Sequence, residues 1–194
     1  MGLKTLAIKN GVDPINATNI LTEGIRIIGD KFGSGELYLP DLVCASEVLK
    51  KAFPIINNAI NTGSKRPASL GKVVIGTVYG DLHSIGKDIV STLLYAAGFE
   101  VIDLGINVKC ENFLKTIKVQ KPAIIAMSSL LTTTAMEQKN VIDSLKKEGL
   151  REKVKILVGG SPINQEFADL IGADGYGAAA PEGVKIAKKL MWMN

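Results

Sequence analysis

The sequence predicts an α/β protein: an N-terminal helical bundle, then a parallel, doubly wound sheet of five strands. Three observations carry this. Apolar residues recur at helical spacing over residues 1–62, a polar turn-rich stretch follows, and beyond it five short β-branched runs alternate with helical patterns. In the first region Pro14 suits the opening turn of a helix, and Ile15, Ile20, Leu21, Ile25, Ile28 and Phe32 repeat at about 3.6 residues. Gly33-Ser34-Gly35 breaks that pattern. Pro40 and Asp41 open a second helix, with Val43, Val48, Leu49, Phe53, Ile56 and Ile60 as its stripe and a kink expected at Pro54. Before Pro14, only Leu3 to Lys9 is available for a further helix. Asn61 to Pro67 is the best linker, which gives a helical domain at 1–62, a linker at 63–71 and a second domain at 72–194.

In the second domain, strands are expected at Lys72 to Val78, Glu100 to Leu104, Ala123 to Met127, Val154 to Val158 and, more weakly, Gly175 to Tyr176. Helices are expected at Ile85 to Ala97, Glu111 to Val119, Thr134 to Lys147, Asn164 to Ile171 and Pro181 to Met191. Right-handed crossovers then cover both faces of one parallel sheet. Such a sheet binds ligands beyond the carboxyl ends of its strands, where strand order reverses. The loops that matter are therefore Tyr79 to Ser84, Gly105 to Asn107, Ser128 to Thr134, Gly159 to Pro162 and Gly177-Ala178.

Composition removes several classes of function. The 194 residues are 46% hydrophobic, yet no run reaches the roughly 20 apolar residues of a membrane helix, and the N-terminus has no signal-peptide core. A cytoplasmic protein without a membrane partner is expected. Cys44 and Cys110 form no CxxC pair and are expected to be reduced, buried thiols. The net charge of +4 comes from scattered lysines, with aromatics at only 5%, so nucleic acid is not an expected partner. A single histidine, His83, rules out zinc sites built on several histidines, so any metal must arrive largely ligated already.

Around His83 the glycine spacing fits neither a Walker loop nor GxGxxG: five residues separate Gly80 from Gly86, and Asp88 follows Lys87. What remains is Asp81-x-His83-x-x-Gly86. A carboxylate two residues away can take one ring N–H, fix the tautomer and leave the other nitrogen as an electron donor. Gly86 lets the loop pass close to a bulky ligand or to the sheet. The alternative is a plain loop histidine capped by its neighbour.

DxHxxG does not stand alone. Ser128-x-Leu130 and Gly159-Gly160 follow in an order and spacing that resemble the cobalamin-binding domain of corrinoid proteins. The strings from Gly76 to Val90 and from Ser128 to Thr134 are similar to the methyl-carrying branch: the corrinoid proteins of methylamine, methanol and methoxyarene methyltransferase systems, and the cobalamin-binding module of methionine synthase. Gly29 to Pro40 resembles the helical cap those carriers place over the corrin, although the family usually has a longer first helix. Mutase subunits share the three motifs without that cap.

The resemblance implies a flavodoxin-like or Rossmann-like cobalamin-binding domain and a role for each matching residue. His83 replaces the cofactor's own base as lower axial ligand of cobalt, Asp81 holds the imidazole, and Thr134 continues the relay, its alternative being a helix cap. Gly86, Gly159 and Gly160 give the nucleotide tail room, and Ser128, Leu130 and Thr132 line its slot. Gly105 and Tyr176-Gly177-Ala178 fall near the slot's far end. Phe32 and Leu39 face the upper side of the corrin or are simple bundle core. The implied cofactor is cobalamin, cycling between a Co(I) corrinoid and methylcobalamin. The implied role is that of a methyl carrier rather than a catalyst alone. Its partners are a substrate-specific methyltransferase, an accepting methyltransferase that uses tetrahydrofolate or a thiol, and a reductive activator. A mutase subunit and a cobalamin-responsive sensor are the alternatives.

Overall fold

A computed structural model of the chain describes residues 14–60 and 69–192. Leu3 to Lys9 and Asn61 to Pro67 lie outside the described residues. The described residues divide into two compact units, one of 14–60 with Ser69 and Tyr95–Gly98, the other of Leu70–Leu94 with 99–192.

The first unit holds α1 (Pro14–Ser34) and α2 (Leu39–Ile60). Gly35 ends α1 at φ 82°, with its N–H on the Phe32 carbonyl and that of Glu36 on Lys31. These two bonds are the pair by which a left-handed glycine closes a helix. Asp41 starts α2 by accepting the Tyr38 N–H at 2.9 Å. The helix runs on through Pro54 as a single element. Ile25, Leu42, Leu49 and Ala52 are buried, Phe32 is half-buried, and Leu39 is exposed.

From β1 onward the chain alternates strictly: β1 (Lys72–Thr77), α3 (Ile85–Ala96), β2 (Glu100–Asp103), α4 (Cys110–Gln120), β3 (Ile124–Ser128), α5 (Thr132–Lys147), a short 3-10 turn, β4 (Lys155–Gly159), α6 (Gln165–Ile171), β5 (Gly175–Gly177) and α7 (Ala180–Met191). All strand pairs are parallel, in the order β2-β1-β3-β4-β5. Every element expected after the linker is present, with ends shifted by one or two residues. The largest shift is in α5, which begins at Thr132 rather than Thr134.

Right-handed crossovers assign the helices to faces. The chain steps one way from β1 to β2, then the other way for the rest of the sheet, so α4, α5 and α6 share a face. The core follows this: Val74, Ile125, Ile156 and Val158 of the strands pack with Phe113, Leu114, Ile142, Leu145 and Ile171 of those helices. The alternate residues Val73, Ile75, Ile124, Ala126 and Leu157 are buried too. Strands covered on both faces read as continuous apolar runs, which is why short segments of Val, Ile and Leu identified them.

The two cysteines correct an expectation. Both are free as expected, but Cys44 is exposed on α2 and Cys110 is only partly buried at the first turn of α4. Each sits on a helix whose apolar stripe is carried by other residues.

Candidate functional site

The strand order reverses at β1, which pairs with β2 on one side and β3 on the other. The carboxyl edge beside this reversal is where an open α/β sheet offers a crevice. In register across it lie Thr77, Ser128, Gly159 and Gly177, a row of small residues ending four adjacent strands. Gly86, Gly105, Leu130 and Thr132 stand on the loops or first helical turns above that row, and Tyr176 and Ala178 flank Gly177.

Asp81 and His83 occupy the loop after β1. Asp81 is 0% exposed and accepts at both oxygens. Its Oδ1 takes the backbone N–H of His83 at 3.0 Å and meets the ring Nδ1 at 2.7 Å. Its Oδ2 takes the N–H groups of Leu130 at 2.7 Å and Leu131 at 3.3 Å, and the Thr134 hydroxyl at 2.9 Å. Burial alone pushes this carboxyl up, but the bonds from His83, Leu130 and Thr134 outweigh it and hold the group well below the usual carboxylate range. An ionised carboxylate only accepts. In the neutral ring Nδ1 therefore carries the hydrogen and Nε2 keeps the lone pair. The His83 side chain is 51% exposed, so that nitrogen is presented by an accessible ring.

The loop backbone is equally fixed. Buried Thr77 donates its hydroxyl to the His83 carbonyl at 2.9 Å, and the Asp81 N–H bonds the Val78 carbonyl at 3.2 Å. Thr134 is no helix cap, because the cap position of α5 belongs to Leu131, which makes no side-chain cap bond. The Thr134 hydroxyl instead lies between Asp81 Oδ2, the Leu131 carbonyl at 3.0 Å and Ser129 Oγ at 2.9 Å.

The B12 binding domain model matches residues 71–185, more than half of the chain, and a second model of that description matches residues 5–57. The chain belongs to the B12-binding corrinoid proteins. Its cofactor is cobalamin. It is 42% identical over 183 residues to the trimethylamine corrinoid protein of Methanosarcina barkeri, covering 94% of this chain and 84% of that one. Among solved structures, the methanol:cobalamin methyltransferase complex of the same organism superposes with a TM-score of 0.83 at 31% identity, covering 97% of this chain and 72% of that one. The monomethylamine corrinoid protein of Methanosarcina barkeri gives 0.60 at 31% identity, covering 97% and 89%.

The donor set of this corrinoid protein suits such a cofactor. Among the described residues no three His, Cys, Asp or Glu side chains come together as a metal site, so His83 stands as a lone nitrogen donor. A corrin already brings four nitrogens to its cobalt. Exposed Leu82 and Ile85 flank the histidine, and exposed Leu130 and Leu131 adjoin Asp81, an apolar rim suited to a wide, flat ligand. A Cβ on Gly86 would meet nothing within 4 Å, so the first turn of α3 leaves open space at that position. Gly160 differs. At φ 129°, a Cβ there would lie 1.7 Å from the Ser129 carbonyl oxygen, so close packing of the β3 and β4 ends already demands this glycine. Gly159 is also confined, its Cβ position lying 3.1 Å from the Gly177 carbonyl.

Sequence reasoning passed over two supporting residues. Thr77 ends a strand that reads as core. Gln138 is fully buried on α5 and donates from Nε2 to the carbonyls of Met127 at 3.2 Å and Gly159 at 3.1 Å. Its Oε1 has no partner among the described residues. A signal for Gln138 existed, since it lies four residues after Thr134 and four before Ile142, on the buried stripe of α5.

Proposed function

We propose that this corrinoid protein is a cytoplasmic methyl carrier, accepting a methyl group from a substrate-specific methyltransferase and delivering it to a second methyltransferase. The observation that carries the reading is the buried, ionised Asp81 bound to one nitrogen of an exposed histidine. Bound cobalamin supplies a cobalt that accepts and releases the methyl group. The chain supplies position and electrostatics. His83 would hold the cobalt through Nε2, and the row of small residues at the ends of β3, β4 and β5 would leave room for the cofactor's nucleotide tail. Asp81 keeps the hydrogen on Nδ1 and stabilises positive charge on the ring, while Thr134 and the Leu130 and Leu131 amides hold Asp81 in place. The similar methanol:cobalamin methyltransferase complex supports a partner of that class, and relatives named for trimethylamine and dimethylamine support methylamines as the donor class.

The test supplies reduced, cobalamin-loaded protein with a methylamine and its cognate methyltransferase, then follows the cofactor spectrum. Conversion to the methylated cofactor, followed by return to the reduced form when an accepting thiol methyltransferase is added, is the expected result. A reduced form that never takes up methyl from any methylamine pair contradicts the carrier reading and favours a cobalamin sensor.

A further inference from the structure

Asn107 is one of two non-glycine residues at positive φ among the described residues, at 53°. Asparagine tolerates this conformation better than most residues and often bonds within its own turn. Here its bonds leave the turn and reach the histidine-bearing loop. Its side-chain Oδ1 accepts the Gly80 N–H at 2.8 Å, and its own N–H donates to the Asp81 carbonyl at 2.9 Å. One residue thus grips the peptide units on both sides of the Gly80–Asp81 step, immediately before the carboxylate that orients His83.

The segment bearing Asn107 is anchored on both sides. The Gly105 carbonyl accepts the Thr77 N–H at 3.0 Å, and the Val108 N–H donates to the Thr77 carbonyl at 2.9 Å. Thr77 is the residue whose hydroxyl holds the His83 carbonyl. Further back, Asp103 accepts the Gly105 N–H at 2.8 Å through Oδ1 and pairs through Oδ2 with the buried ammonium of Lys87 at 2.5 Å. Lys87 also meets Asp88 at 2.5 Å. A bracket running from Lys87 through Asp103 and Gly105 therefore ends at Asn107, pressed against the loop that carries Asp81 and His83.

We propose that Asn107 is a positioning residue for axial ligation: it fixes the Gly80–Asp81 backbone so that the imidazole is set before cobalamin arrives. The inference rests on His83 being the axial ligand. Losing one hydrogen bond of this kind is worth about fivefold in an equilibrium.

Asn107→Gly keeps the positive φ and removes only the side-chain acceptor, whereas Asn107→Asp keeps an acceptor in place. Both are compared with the wild type by the ratio of His-on to His-off cobalamin in the absorption spectrum, and by urea unfolding without cobalamin. The proposal expects Asn107→Gly to lower the His-on ratio about fivefold with an unfolding midpoint near that of the wild type, and Asn107→Asp to restore most of it. A wild-type ratio in Asn107→Gly, or a loss shared equally by Asn107→Asp, overturns the proposal. Hydrogen exchange of the wild type tests it independently of any variant. The amide of exposed Gly80 should be protected, and exchange at the rate of a free loop amide overturns the bracket. If the wild type itself shows no His-on spectrum, the axial assignment fails and takes this inference with it. A His-on wild type with an unaffected Asn107→Gly sinks only the role of Asn107.

Discussion

Gly160→Ala is expected to leave little folded protein. The added methyl would sit 1.7 Å from the Ser129 carbonyl oxygen and within 3 Å of the Ser129 carbonyl carbon and nitrogen, all backbone atoms that cannot swing aside. The φ of 129° is itself hostile to any residue with a side chain. Relief would need the ends of β3 and β4 to part, breaking the Ser129 N–H bond to the Gly159 carbonyl and the Gln138 bridge to the same oxygen. A cost of at least ~4 kcal/mol follows, a large part of the roughly 5–15 kcal/mol that holds a domain together. Urea unfolding of cobalamin-free protein measures it, and a midpoint close to that of the wild type would show that the strand ends are not packed as described. Gly86→Ala, with nothing near its Cβ position, is the matched control that should fold normally.

Asp81→Asn is expected to lower stability in either orientation of the amide and, in one of them, to block His83 ligation while leaving the histidine present. Five donors converge on the carboxylate, three at Oδ2 and two at Oδ1. If the amide nitrogen takes the Oδ2 place, it faces the Leu130 and Leu131 N–H groups. If it takes the Oδ1 place, it faces the His83 N–H and forces the ring Nδ1 to accept, which moves the hydrogen to Nε2 and occupies the ligating nitrogen. Either way buried donors lose their acceptor, at about 1–3 kcal/mol each. The pH dependence has a definite sign. The folded-state pKa of Asp81 lies below its unfolded value, so its contribution to stability is complete above the unfolded carboxylate pKa of about 3.9 and is lost as pH falls through the folded value. The stability gap between wild type and Asp81→Asn should therefore be constant at neutral pH and narrow below about pH 4. A gap that widens with acid would contradict an ionised Asp81.

The fold could be read from the sequence because both faces of the three central strands are buried: Val73 to Ile75, Ile124 to Met127 and Ile156 to Val158 leave no polar position to blur the pattern. The helical ends were harder. Three successive threonines gave no clue that α5 starts at the first of them, with Thr134 turned inward to Asp81. The DxHxxG motif led to Asp81 and His83 because they are close in sequence. Thr134, 53 residues from Asp81, was reached only through the family resemblance, and the other residues that support the pair from a distance were not legible. The link from Thr77 to His83 depends on how the loop folds back, and Asn107 meets Gly80 only once β2 lies beside β1. Gly160 was expected to leave room for a ligand, and its geometry shows a second demand, contact with Ser129, that spacing alone cannot express. Cys44 and Cys110 failed as core residues because a cysteine's preference for burial yields where larger apolar side chains already fill the helix stripe.

The central claim is that His83 supplies the lower axial nitrogen of cobalt, and the single histidine of this chain makes it directly testable. Protein labelled with nitrogen-15 only at histidine is loaded with cobalamin, brought to the Co(II) state and examined by electron paramagnetic resonance. Labelling should convert the three-line splitting from an axial nitrogen into two lines, because the coupled nucleus now belongs to the protein. A three-line pattern that survives labelling would mean that the cofactor keeps its own base, and would contradict the account.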